Sequence, residues 1–130
     1  MANELKVTTS VVYENGQLKY THSPGTLQLP QAAAGYSTQV VTATSAEAAV
    51  TLAGITSPGM LVLQSLEATT TGTAVDFGVT STTGGMGNPF GTLEPRSQVV
   101  TNLNSTSTLR VKNEGAAAGN VDVLVIAFEA

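Results

Sequence analysis

The chain holds a single histidine, His22, while its carboxylates, two Asp and seven Glu, are scattered one at a time. Hydroxyl nucleophiles need an imidazole held between the hydroxyl and a carboxylate. His22 adjoins Ser23, but neighbours along an extended strand point to opposite faces, so adjacency supplies no such geometry. His22 therefore reads as a solvent-facing strand residue ahead of the turn Ser23-Pro24-Gly25. Hydrolysis by paired carboxylates needs two acids about 5–10 Å apart. Glu67 and Asp76 come nearest to that if residues 60–69 and 73–80 are the arms of a hairpin; the plainer reading is two exposed acids. Cysteine is absent and no Asp-x-Asp loop occurs, so metal donors at the usual spacings are missing. The expectation is a protein that is not an enzyme, with no catalytic residue, no metal ligand and no cofactor assigned.

Two further stretches resemble chemical motifs. Thr83-Gly84-Gly85-Met86-Gly87-Asn88-Pro89-Phe90-Gly91 has the glycine content of a phosphate loop. Such a loop needs a helix starting directly after it and usually a lysine, and neither follows. Its apolar pair, Met86 and Phe90, suggests a contact loop that inserts one of them into a partner; alternatively, Phe90 plugs the end of its own domain. Asn104-Ser105-Thr106 fits a glycosylation sequon but reads as a turn, because no charged-then-apolar leader opens the chain. The same observation, with no apolar run long enough to span a bilayer, leads us to expect a soluble protein made without an export signal.

The elements that would carry these residues are strands. Thr and Val are abundant, Gly and Pro recur, and apolar residues alternate or come in short runs. Residues 5–13 and 18–22 read as a hairpin around Asn15-Gly16, with a short extension at 26–29 and an Ala-rich link at 31–35. Further strands are expected at 36–44, 48–52, 60–69, 73–80, 97–103, 108–113 and 120–129. Short strands at near-regular spacing predict an all-β, jelly-roll-like antiparallel β-sandwich over 31–130, preceded by an N-terminal hairpin or arm over 1–30. Whether that first segment is an arm embracing a neighbour or the first two strands of the sandwich stays open.

The last strand is apolar on both faces. Val121, Val123, Val125 and Ala127 point one way; Leu124, Ile126 and Phe128 point the other. One set fills the sandwich core. The other is covered either by the N-terminal hairpin or by a neighbouring subunit, which makes Leu124, Ile126 and Phe128, with Met86 and Phe90, the candidate contact residues.

Charge supports contact over catalysis. Only 11% of the 130 residues are charged, the net charge is −4, and the five cationic residues form no cluster. Phosphate neutralisation requires such clusters, so nucleic acid is not an expected partner, and neither is a membrane. A surface of Thr, Ser, Gln, Asn, Ala and Gly loses little on desolvation and suits subunit packing.

Three stretches together resemble small virion proteins of tailed bacteriophages. They are Thr56-Ser57-Pro58-Gly59-Met60-Leu61-Val62-Leu63-Gln64-Ser65-Leu66-Glu67-Ala68-Thr69, the turn into a strand at Leu93-Glu94-Pro95-Arg96-Ser97-Gln98-Val99-Val100, and the apolar closing run 123–129 with its acidic end. The hairpin at 13–20 followed by Ser23-Pro24-Gly25 is similar too. Arg96 departs from the pattern, standing where Gly is usual. The resemblance implies a virion location on the capsid surface after synthesis in the host cytoplasm. It implies a head decoration (cement) protein, a homotrimer as such proteins commonly are, with itself and the major capsid protein as partners. The alternative is a tail or adsorption module that binds a host glycan.

Overall fold

The computed structural model describes residues 3–23, 25–31, 35–69, 71–81, 83–87, 89–103, 107–114 and 119–130. The chain divides into two compact units, residues 1–34 and 35–130. The sequon at 104–106 lies outside the described residues, as do Pro24, Asn88 and most of the Ala-rich link.

The first unit is made of two two-stranded antiparallel ribbons: β1 (Asn3–Thr8) with β4 (Thr26–Gln31), and β2 (Val11–Asn15) with β3 (Leu18–His22). The expected single strand over 5–13 is interrupted at Thr9-Ser10. Asn15 pairs with Leu18, leaving Gly16-Gln17 as the two-residue turn. Gly16 has φ 59° and Gln17 does not share its positive φ. Glycine at the first central position is the type II′ pattern, not the type I′ turn that Asn15-Gly16 suggests. The strands of this unit pair only with one another, so they are not the first strands of the sandwich sheets.

The second unit is a sandwich of two four-stranded antiparallel sheets. Its strands are β5 (Tyr36–Ala43), β6 (Ala48–Ala49), β7 (Pro58–Ser65), β8 (Val75–Val79), β9 (Gly91–Leu93), β10 (Gln98–Asn102), β11 (Leu109–Asn113) and β12 (Val121–Glu129). One sheet has the order β10-β7-β12-β5 and the other β6-β11-β8-β9. All but one of the chain's connections here switch sheets, which is the double Greek-key path of a jelly roll. No helix occurs among the described residues, and so none is long and apolar enough to cross a membrane.

Alternation decides which residues meet in the middle. β12 turns Val121, Val123, Val125 and Ala127 inward, β7 gives Leu61 and Leu63, β8 Val75 and Phe77, and β11 Leu109 and Val111. Leu93 and Leu103 close the same core. Glu129 ends β12 by accepting hydrogen bonds from the Thr56 and Ser57 amides at 2.9–3.3 Å, which fixes the turn entering β7. Half-buried Gly91 lies against the Phe77 ring: a Cβ there would come within 2.3 Å of Cζ.

Candidate interaction surface

The two outer faces of the sandwich differ in chemistry. On the β6-β11-β8-β9 sheet, the outward positions include Arg110, Lys112, Asp76 and Thr92. Arg110 pairs with Glu47, and the Thr92 hydroxyl donates to Asp76 Oδ1 at 2.8 Å. Lys112 stands across from Asp76 in register. This face is charged, and each of these cations stands by a carboxylate of opposite sign.

On the β10-β7-β12-β5 sheet, strand register lays out a different surface. One row runs Val100, Val62, Ile126, Thr38; the next runs Gln98, Gln64, Leu124, Val40. Phe128 stands across from Tyr36 at the end where β12 bulges between Ala127 and Glu129. The inward residues of these strands alternate with them, which is why both faces of β12 are apolar. Leu124, Ile126 and Phe128 are half-buried, whereas Val40 is 56% and Tyr36 74% exposed. The one formal charge on this face is Asp122, at its margin, where it accepts a hydrogen bond of 2.7 Å from the Thr42 hydroxyl. Across four strands the face thus has no charge at its centre.

Of the five contact residues expected from sequence, the structure brings three together: Leu124, Ile126 and Phe128. The other two lie with β8. Met86 is only 5% exposed and occupies the room left by Gly78, on which a Cβ would lie 2.8 Å from Met86 Cγ. It fills its own domain, so the expectation that Met86 is offered to a partner is corrected. Phe90 is 49% exposed, with its ring edge-on to Phe77 at a centroid distance of 5.2 Å. The glycines of this loop serve the backbone: Gly84, Gly85 and Gly87 all have positive φ, between 65° and 81°. The loop folds on Ser81, whose amide donates to the Gly85 carbonyl and whose hydroxyl donates to that of Gly84, both at 2.8 Å.

Sequence reasoning missed Val40, Val62, Val100 and Tyr36 as members of the face. Their alternation is visible, but which strands lie beside β12 is not, because the neighbours β5 and β7 come from distant parts of the chain.

The hairpin that would have set Glu67 against Asp76 does not form. β7 and β8 belong to different sheets, so the stretches 60–69 and 73–80 are not arms of one hairpin, and Glu67 and Asp76 are not set across it. Glu67 accepts bonds from the Thr69 amide and hydroxyl, both at 3.2 Å. Asp76 is engaged by Thr92. No group of three or more His, Cys, Asp or Glu side chains gathers among the described residues. His22 is exposed on β3 and stacks with Tyr20, ring centroids 6.4 Å apart.

A second feature is an open cleft of about 350 Å³ lined by Val50, Leu52, Ile55, Pro58 and Leu109 together with the hydroxyl-bearing Thr51, Thr56, Ser107 and Thr108. It has neither a charged side chain nor an aromatic platform in its lining.

No protein-family model matches the chain, and no curated protein is significantly similar to it.

Proposed function

We propose that the chain is a non-catalytic structural subunit whose uncharged sheet face is covered by other subunits of a larger assembly. Within that class, the reading is a head decoration protein of a tailed bacteriophage, a homotrimer that binds the major capsid protein of the expanded head. The observation that carries the first step is the contrast between the two sandwich faces. One is laced with matched charges; the other presents Val40, Val62, Val100, Leu124, Ile126 and Phe128 around an uncharged centre. Such a surface loses little on desolvation and gains from burial at roughly 25 cal/mol per Å². The second step rests on the three stretches that resemble phage virion proteins and on the jelly-roll path. Many modest contacts across several subunits would then hold the shell by avidity.

Two measurements test the reading in turn. Sedimentation equilibrium should give three times the subunit mass at micromolar concentration; a strict monomer sinks the assembly claim. The protein should co-sediment with expanded empty heads and stay in solution with unexpanded ones. Failure to bind expanded heads removes the decoration role.

The cleft beside β6 and β11 favours a second reading, a module binding a host glycan through the hydroxyls of Thr51, Thr56, Ser107 and Thr108. A glycan array without hits eliminates it.

A further inference from the structure

The first unit has the pattern of a docking element. The register of β2 and β3 puts Val11, Tyr13, Leu18, Tyr20 and His22 on one face of the ribbon. Glu14 and Lys19, joined by an ion pair at 2.7 Å, take the opposite face with Val12 and Thr21. Every residue of both strands is exposed, with Leu18 at 69%. A two-stranded ribbon in water is marginal by itself and needs a third strand or an apolar surface beneath it. Here the ribbon has put its aromatic residues and all its large apolar residues but Val12 onto one side and buried none of them.

The sandwich has the complementary shortage. Strand spacing of about 4.8 Å and same-face spacing of about 6.8 Å give its three-row apolar face roughly 400 Å² in projection. A stable interface takes about 800 Å² from each partner. The face alone is too small to hold two copies together; a face and an aromatic ribbon contributed by every copy come much closer, since each fully covered tyrosine adds about 150–250 Å². Charge agrees with this match. The ribbon's ion pair lies on its far side, so neither surface would bury an unpaired charge.

We propose that the aromatic face of the β2–β3 hairpin docks on the β10-β7-β12-β5 sheet face of a second copy of this chain, an inference that rests on the assembly reading above. Hairpin-on-sheet contact is heterologous, two unlike patches meeting, and such contacts form a ring where the rotation closes and a filament where it does not. A three-membered ring leaves no hairpin and no sheet face uncovered.

The absence of cysteine makes the test direct. Full-length Y20C and a size-tagged full-length V40C, mixed and treated with a short bis-maleimide, should give a heterodimer joined through those two positions. Tyr13→Ser with Tyr20→Ser, on the exposed ribbon, should weaken self-association at least about tenfold while the circular dichroism of the sandwich is unchanged. If the protein is oligomeric but Y20C couples to V40C only within a doubly substituted chain, or not at all, hairpin exchange is overturned and the assembly reading survives. If the double serine variant associates like the parent, the inference is overturned as well. A parent that is monomeric throughout removes both.

Discussion

Arg96 occupies a position that favours glycine. It follows Pro95 in a turn closed by the Ser97 amide donating to the Glu94 carbonyl at 3.0 Å, and its φ is 63°. Positive φ at the third position of a turn with Pro at the second is the type II arrangement. A side chain there carries about 1–2 kcal/mol of strain, part of which glycine returns through the greater freedom of the unfolded chain. Arg96→Gly should therefore raise stability by about 0.5–1 kcal/mol, read as a higher denaturant midpoint at constant slope. Gly91 has the opposite sensitivity. Its missing Cβ leaves room for the Phe77 ring, which is buried and meets Phe90 edge-on. Gly91→Ala should lower stability by about 1–3 kcal/mol as the ring is displaced, and near-ultraviolet circular dichroism should report the change. Glu129 joins the end of β12 to the start of β7 through the Thr56 and Ser57 amides. Glu129→Ala should cost about 1.5–3 kcal/mol because those donors lose a charged acceptor; an unchanged midpoint would show that water replaces it.

At the scale of strands, the informative substitution is Val40→Lys. Val40 is exposed on the outer side of edge strand β5, across from Leu124. A lysine there leaves the core untouched, so the stability should hold within about 0.5 kcal/mol while self-association falls sharply. Equal association by V40K and the parent would remove the sheet face from the interface. The strands were largely legible in the sequence because alternation of apolar and polar residues leaves a period that composition does not hide. β12, β11, β10 and β5 lie within a residue or two of their expected bounds. Others were not: the run expected at 60–69 is Pro58–Ser65, that at 48–52 is Ala48–Ala49, and 5–13 breaks into β1 and β2. Gly91–Leu93 is only three residues long and follows a glycine-rich loop, so no alternation announces it; its place is set by pairing with β8. The turn at Gly16-Gln17 is shifted one residue from Asn15-Gly16, because the pairing of Asn15 with Leu18 fixes the loop and the dipeptide alone does not. The candidate surface was half legible. Leu124, Ile126 and Phe128 declare themselves within one strand, whereas Val40, Val62 and Val100 join them only through pairings between segments far apart in the chain.

For the molecule as a whole, the distribution of charge governs how assembly should respond to solution conditions. The matched charges lie on the sheet that contains β8 and β11, and the uncharged face lies on the other. Association through that second face should change little between about 50 and 500 mM sodium chloride, because there is almost nothing for salt to screen. Sulfate should tighten it by strengthening apolar burial. A steep loss of association with sodium chloride, measured by sedimentation, would show that the charged sheet makes the contact.

The lengths of the outermost strands have a separate consequence. β6 has two residues and β9 three, too few to template an incoming strand. β5 has eight and β10 five, neither with a proline or a charge to discourage pairing. Within the sandwich, growth by backbone addition is therefore confined to the rims of a single layer, the same layer whose broad side is greasy. Crowding at high concentration should extend that layer into continuous ribbon while the charged layer stays capped.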